Sequence, residues 1–130
     1  MIAVLAVSCG AVCGALLRWG AGVLLRGAHP FVPVGSLAVN VAGGYLIGVA
    51  AACFAFSPGI PSTWCLLLVT GFLGSFTTFS AFSLEAATLL REGRYLICGA
   101  FVLAHVGGSV AATLLGMATA AGIRGLFVGR

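Results

Sequence analysis

Four long apolar stretches, separated only by short connectors, account for almost the whole of this chain and leave few ways for it to fold. They cover about residues 2–25, 34–56, 64–90 and 95–123. Each reaches the roughly 20 residues that a helix needs to cross the hydrocarbon core of a bilayer. The connectors carry helix breakers: Gly27, Pro30 and Pro33, then Pro58, Gly59 and Pro61, then Gly93. Connectors this short make consecutive spans antiparallel neighbours. The start, from Met1 to Cys9, has no basic n-region and the apolar run continues past signal-peptide length, so it reads as a retained first span. Composition closes off the soluble alternatives. The chain is 62% hydrophobic, and its charged residues amount to 6%, whereas a soluble domain carries about a quarter. The expectation is an all-α integral membrane fold, one domain over residues 1–130 with four transmembrane helices.

Charge excludes some functions and leaves orientation open. The net charge of +4 comes from single, scattered arginines; a nucleic-acid interface needs a clustered basic patch. Four spans put both termini on one side, with Arg124 and Arg130, while Arg26, Arg91 and Arg94 lie opposite. Topology follows the Lys/Arg bias between sides, and here two face three. Either that small difference selects one orientation, or the chain inserts both ways and pairs as an antiparallel dimer. The five cysteines fall within or beside apolar stretches and read as small packing residues, not as a disulfide framework or a metal site. Gly10/Gly14 and Gly44/Gly48 form small-xxx-small patterns that let helices approach closely.

Polar side chains inside hydrocarbon need a reason. Arg18, in the first span, reads either as a fixed charge at the mouth of an anion pathway or as a snorkelling interfacial arginine beside Trp19. Asn40, with Ser36 one turn before it, brings two donors and an acceptor into the second span. It serves an interhelical hydrogen bond or a ligand. The third stretch holds two glycines and five hydroxyls within residues 71–83 and is too long for one straight span. A helix broken near residues 74–79 is expected. Unwound backbone at that depth survives only in protein or beside a polar cavity, and its freed carbonyls make a cation site. Beyond the break Phe79 and Phe82 share a face, and Glu85 follows one turn on. Phenylalanine pairs are mostly packing, but their ring edges can also face an anion. His105, Ser109 and Thr113 form one polar stripe on the fourth span, although such hydroxyls often bond back to their own helix.

Taken together, GALLRW, GSLAVNVAGGYLIG and above all GFLGSFTTFSAFSLE make the chain closely resemble the Fluc (CrcB) fluoride channels, over essentially its whole length. The resemblance implies passive, fluoride-selective export across a bacterial inner membrane by an antiparallel, dual-topology homodimer with two pores. It also implies a central structural sodium ion, held by the backbone carbonyls of Gly74 and Thr77 from both subunits. By the same matching, Asn40, Phe79, Phe82, His105, Ser109 and Thr113 line the anion route, with Arg18, Ser36 and Glu85 in support. Ser36 stands where threonine is common, and Ser75 where the motif often has glycine. The physics agrees in outline: buried donors and ring edges can replace an anion's hydration shell without trapping it. Fluoride itself rests on the resemblance.

Three other functions fit the sequence less well. A proton-coupled exporter of the small multidrug-resistance kind has a similar outline, but it needs a carboxylate in the first span, and here there is none. A passive scaffold leaves the 71–83 motif and the histidine stripe without a purpose. An enzyme would need a nucleophile, metal cluster or acid pair, none of which the sequence assembles.

Overall fold

The computed structural model describes residues 1–27 and 33–128, apart from the side chains of 127 and 128. Connector residues 28–32, Pro30 among them, and the terminal Gly129 and Arg130 lie outside the described residues. All regular structure among the described residues is helical. Helix α1 is Ile2–Leu24 and α2 is Val34–Phe56. The third span opens as α3, Ser62–Cys65, widens into π-helical turns over Leu66–Leu73, and returns to α-helix as α4, Gly74–Phe76. After Thr77 and Thr78 it resumes as α5, Phe79–Arg91, and the fourth span is α6, Tyr95–Val128. Among the described residues four stretches are long and apolar enough to cross a membrane, as the sequence predicts.

The breakers act where they stand. Pro33 and Pro61 immediately precede α2 and α3, and proline is tolerated at a helix start because no amide is needed there. Gly93 adopts φ 72° just past the end of α5. Its amide bonds the Leu90 carbonyl at 3.1 Å, and the Arg94 amide bonds that of Leu89 at 2.9 Å. This is a Schellman cap, which needs a left-handed residue and reverses the chain into α6. Gly122 and Gly125 flank residue 123, the expected end of the span, yet neither interrupts α6. The helix continues to Val128, with the Arg124 guanidinium 4.5 Å above the Phe56 ring at the end of α2.

Glycines set the packing. α1 runs parallel to the first half of the third span: a Cβ on Gly10 would collide with the Leu67 carbonyl, and one on Gly14 with that of Phe72. In the same way α2 runs parallel to α6, where a Cβ on Gly44 would lie 2.7 Å from the Ser109 carbonyl and one on Gly48 would collide with that of Thr113. Both glycine pairs read from the sequence are thus seams. At the break the third span changes partner. Before it the chain leans on α1; beyond it α5 packs on α6, through a cluster of Leu89, Cys98 and Phe101 joined by Phe82. Only 17–22% of the apolar window of each span is buried inside the chain, so most of the apolar surface is left for lipid or another chain. The cysteines depart from expectation. Cys98 is buried in that cluster, but Cys9, Cys13, Cys53 and Cys65 are free and exposed on surface left for lipid or another chain.

Candidate functional site

The interrupted third span creates the site. Thr77 (φ −82°, ψ 159°) and Thr78 (φ −148°, ψ 114°) are extended, which removes the helical partners of the backbone groups around them. Neighbouring elements supply replacements. Asn40 on α2 engages Thr78 twice: the Thr78 amide donates to Oδ1 at 2.8 Å, and Nδ2 donates to the Thr78 carbonyl at 3.0 Å. Arg18 on α1 donates from Nε to the Ser75 carbonyl at 3.0 Å. Thr77 bonds back to the Leu73 carbonyl through both its amide (3.0 Å) and its hydroxyl (2.9 Å). Thr78 serves as the N-cap of α5, its Oγ1 accepting from the Ala81 amide at 3.2 Å.

These assignments go further than the sequence reading. Asn40 has both its carbonyl oxygen and one amide proton committed to the break, which leaves a single donor for any ligand. Arg18 is half-buried and braces the turn before the break, a role that neither sequence reading of it contained. Sequence spacing holds no sign of either contact, since they join residues 38 and 57 positions apart. The π segment over Leu66–Leu73 likewise leaves no mark in the sequence. Such wide turns are rare and cluster at functional sites.

Around the break lies a cavity of about 400 Å³ lined by Asn40, Gly74, Thr77, Thr78, Phe79, Phe82, His105 and Ser109, with aliphatic side chains completing its wall. No carboxylate is among its described lining residues. The Phe79 and Phe82 rings stand 5.4 Å apart and tilted by 50°. Phe79 is 78% exposed, whereas Phe82 packs against Phe101 and His105. His105 is buried, with Nδ1 3.2 Å from the Phe101 carbonyl.

Four residues of the predicted set, Arg18, Ser36, Glu85 and Thr113, sit apart from the cavity wall. The Thr113 hydroxyl donates to the Ser109 carbonyl at 2.9 Å, and its side chain packs at the Gly44 seam. Ser36 and Glu85 pair with each other across α2 and α5, Oγ to Oε2 at 2.6 Å, one turn beyond the cavity. The Gly74 carbonyl loses its usual helical donor, the Thr78 amide, to Asn40. The Thr77 carbonyl lies between two helices. Neutral oxygens of this kind suit a hard monovalent cation. Among the described residues no group of three His, Cys, Asp or Glu side chains converges as a metal site.

Comparison with known proteins gives a consistent result. The family model described as CrcB-like protein, Camphor Resistance (CrcB), matches residues 5–117. A protein of Tolumonas auensis named fluoride-specific ion channel FluC is 50% identical over 119 residues, covering 92% of this chain and 94% of its own length. Proteins of the same name from Pseudomonas paraeruginosa and Thiobacillus denitrificans are 51% and 50% identical. They cover 88% and 89% of this chain, and 90% and 94% of their own lengths.

Proposed function

The chain belongs to the CrcB-like protein family, and from that premise we propose that it is a fluoride channel rather than an enzyme, a multi-pass membrane protein that lets fluoride leave the cytoplasm down its gradient. The observation that carries the reading is the cavity at the break, where hydrogen-bond donors and aromatic edges converge and no carboxylate lines the wall. A small anion entering it exchanges water for the free amide proton of Asn40, the Ser109 hydroxyl and the ring edges of Phe79 and Phe82. Binding by neutral groups is favourable enough for entry and weak enough for release. In this reading the route starts at the Ser36–Glu85 pair between α2 and α5, passes Asn40 and His105, and continues past Ser109 to Thr113 along the α2–α6 seam.

In this reading two copies associate antiparallel in a bacterial inner membrane, each with its own pore. The carbonyls of Gly74 and Thr77 from both would hold a sodium ion at the centre. When bound, the ion supplies a fixed positive charge beside the anion route. The exposed Phe79 ring and the unburied apolar faces support the dimer, because a partner would cover them. Arg18 on α1 and Asn40 on α2 hold Ser75 and Thr78, the neighbours of Gly74 and Thr77, so the backbone of the break is braced before any ion arrives.

The deciding experiment is anion efflux from liposomes containing the purified protein. Fluoride is expected to escape at rates far above protein-free vesicles while chloride is retained. Equal release of both, or of neither, would refute selectivity; saturable, proton-driven flux would instead favour an exporter.

A further inference from the structure

The third span bypasses one of its own carbonyls. In an α-helix the Gly74 amide would bond the carbonyl of Thr70, four residues back. Here it reaches those of Val69 and Gly71 instead, because the turns over Leu66–Leu73 close between residues five apart. The Thr70 carbonyl is left out where the π turns give way to α4. Its side chain is left out as well. Thr77, Thr88, Thr113 and Thr119 each return their hydroxyl to the carbonyl four residues back, a common resort of threonine in a helix. The Thr70 hydroxyl bonds none of the described residues, and Thr70 is exposed. On the seam side of the same turns, the backbones of Leu67, Gly71 and Phe72 abut α1.

We propose that Thr70 is a polar anchor for a second copy of this chain, its hydroxyl donating a hydrogen bond across the contact and its carbonyl accepting one. The proposal rests on the paired reading above and names a residue that holds the pair. Depth selects the occupant. Thr70 lies roughly 10 Å along the span from its start at Ser62, inside a hydrocarbon core about 30 Å thick. Lipid tails offer neither donor nor acceptor, and a bare carbonyl and hydroxyl at that depth are costly. Water reaches such a depth only through a polar cavity, and Thr70 is not among the residues lining the cavity at the break. Another protein surface is left. A second copy fits it, because a residue that presents both a donor and an acceptor is self-complementary about a two-fold axis. The π turns thus have a product: they take one carbonyl and one hydroxyl out of the helix and leave them for a partner.

Pairing is measured by single-molecule counting of C-terminally labelled protein in liposomes as it is diluted in lipid. Thr70→Val keeps the shape and removes the donor, and should weaken pairing by roughly three- to tenfold, the range of hydrogen bonds between membrane helices. Thr70→Ser keeps the hydroxyl and should pair like the wild type. Helix content by circular dichroism should be equal in all three, since the hydroxyl makes no bond within the chain. Pairing of Thr70→Val as tight as wild type would overturn the proposal. So would pairing of Thr70→Ser as weak as that of Thr70→Val, or a wild-type chain that stays monomeric at every dilution. Fluoride efflux separates this claim from the channel reading. Crowded vesicles of Thr70→Val should release fluoride at the wild-type rate, and on dilution their efflux should fail before that of the wild type. A lower rate at equal pairing would place Thr70 in the anion route and refute its role as an anchor. Absence of fluoride flux at every density, with the difference in pairing intact, would remove the channel reading alone.

Discussion

Single side chains at the break carry unequal structural duties, and substitutions should separate them. Asn40→Leu removes both bonds to Thr78 and strands an amide and a carbonyl. Each stranded buried group costs about 1–3 kcal/mol, so this variant should lose both flux and thermal stability in detergent. A variant that lost flux at unchanged stability would show that Thr78 finds other partners. The two phenylalanines should part company. Phe79 is largely exposed, so Phe79→Ile should lower fluoride flux with little change in the stability of the subunit. Phe82 packs on Phe101 and His105, so Phe82→Ile should lower both, because an aliphatic group supplies neither the ring edge nor the stacked contact. Full flux in both variants would return the pair to simple packing. Asn40, His105 and the phenylalanines were legible in the sequence as polar or aromatic residues out of place in hydrocarbon. What each one touches was not, since an i-to-j contact across tens of residues leaves no local pattern.

Helices in this chain are held by backbone approach more than by side-chain interdigitation, and the glycines therefore differ sharply in importance. A methyl group at Gly14 meets the Phe72 carbonyl, whereas one at Gly99 meets nothing within 4 Å. Gly14→Ala should push α1 from the third span and cost about 1–3 kcal/mol, as overpacking does elsewhere. Gly99→Ala should be close to neutral. Unfolding in detergent followed by circular dichroism checks the pair, and equal stability of the two would contradict the seam. The π segment belongs to the same seam. Its widened turns lie along α1 between Leu66 and Leu73 and lead directly into the break. Sequence periodicity could not reveal it, because a uniformly apolar stretch reads alike whether its turns hold 3.6 residues or more.

For the molecule as a whole, the side of each loop follows from the parallel pairs. α2 and α6 end together at Phe56 and Arg124, so the 57–61 connector shares a side with the C-terminus. Two or three lysines added after Gly129, or in that connector, should drive the C-terminus of nearly every copy into the cytoplasm. Lysines added beside Arg26 should favour the opposite orientation. If the active unit is an antiparallel dimer, each biased variant should be inactive alone and active when co-expressed with its opposite. A C-terminal reporter on the unmodified chain should then show both orientations in comparable amounts. A single orientation with full activity would rule out the antiparallel pair, and with it a sodium site shared by two copies of Gly74 and Thr77.

Span number, connector positions and the existence of a break were determined by the sequence itself, because hydrocarbon thickness and breaker residues act locally: any apolar run of sufficient length must cross, and proline, glycine and clustered hydroxyls must interrupt it. The second span matches its expected bounds, and the break falls inside the expected 74–79 window. Partnership was decided only in three dimensions. That Asn40 would spend itself on Thr78, that Arg18 would reach Ser75, that Ser36 would hold Glu85, and that Thr113 would turn back onto Ser109 follow from which helices lie side by side. The physical reason is the shape of the glycine seams: they set how closely two backbones approach and in what register, and register determines which polar group each buried donor meets.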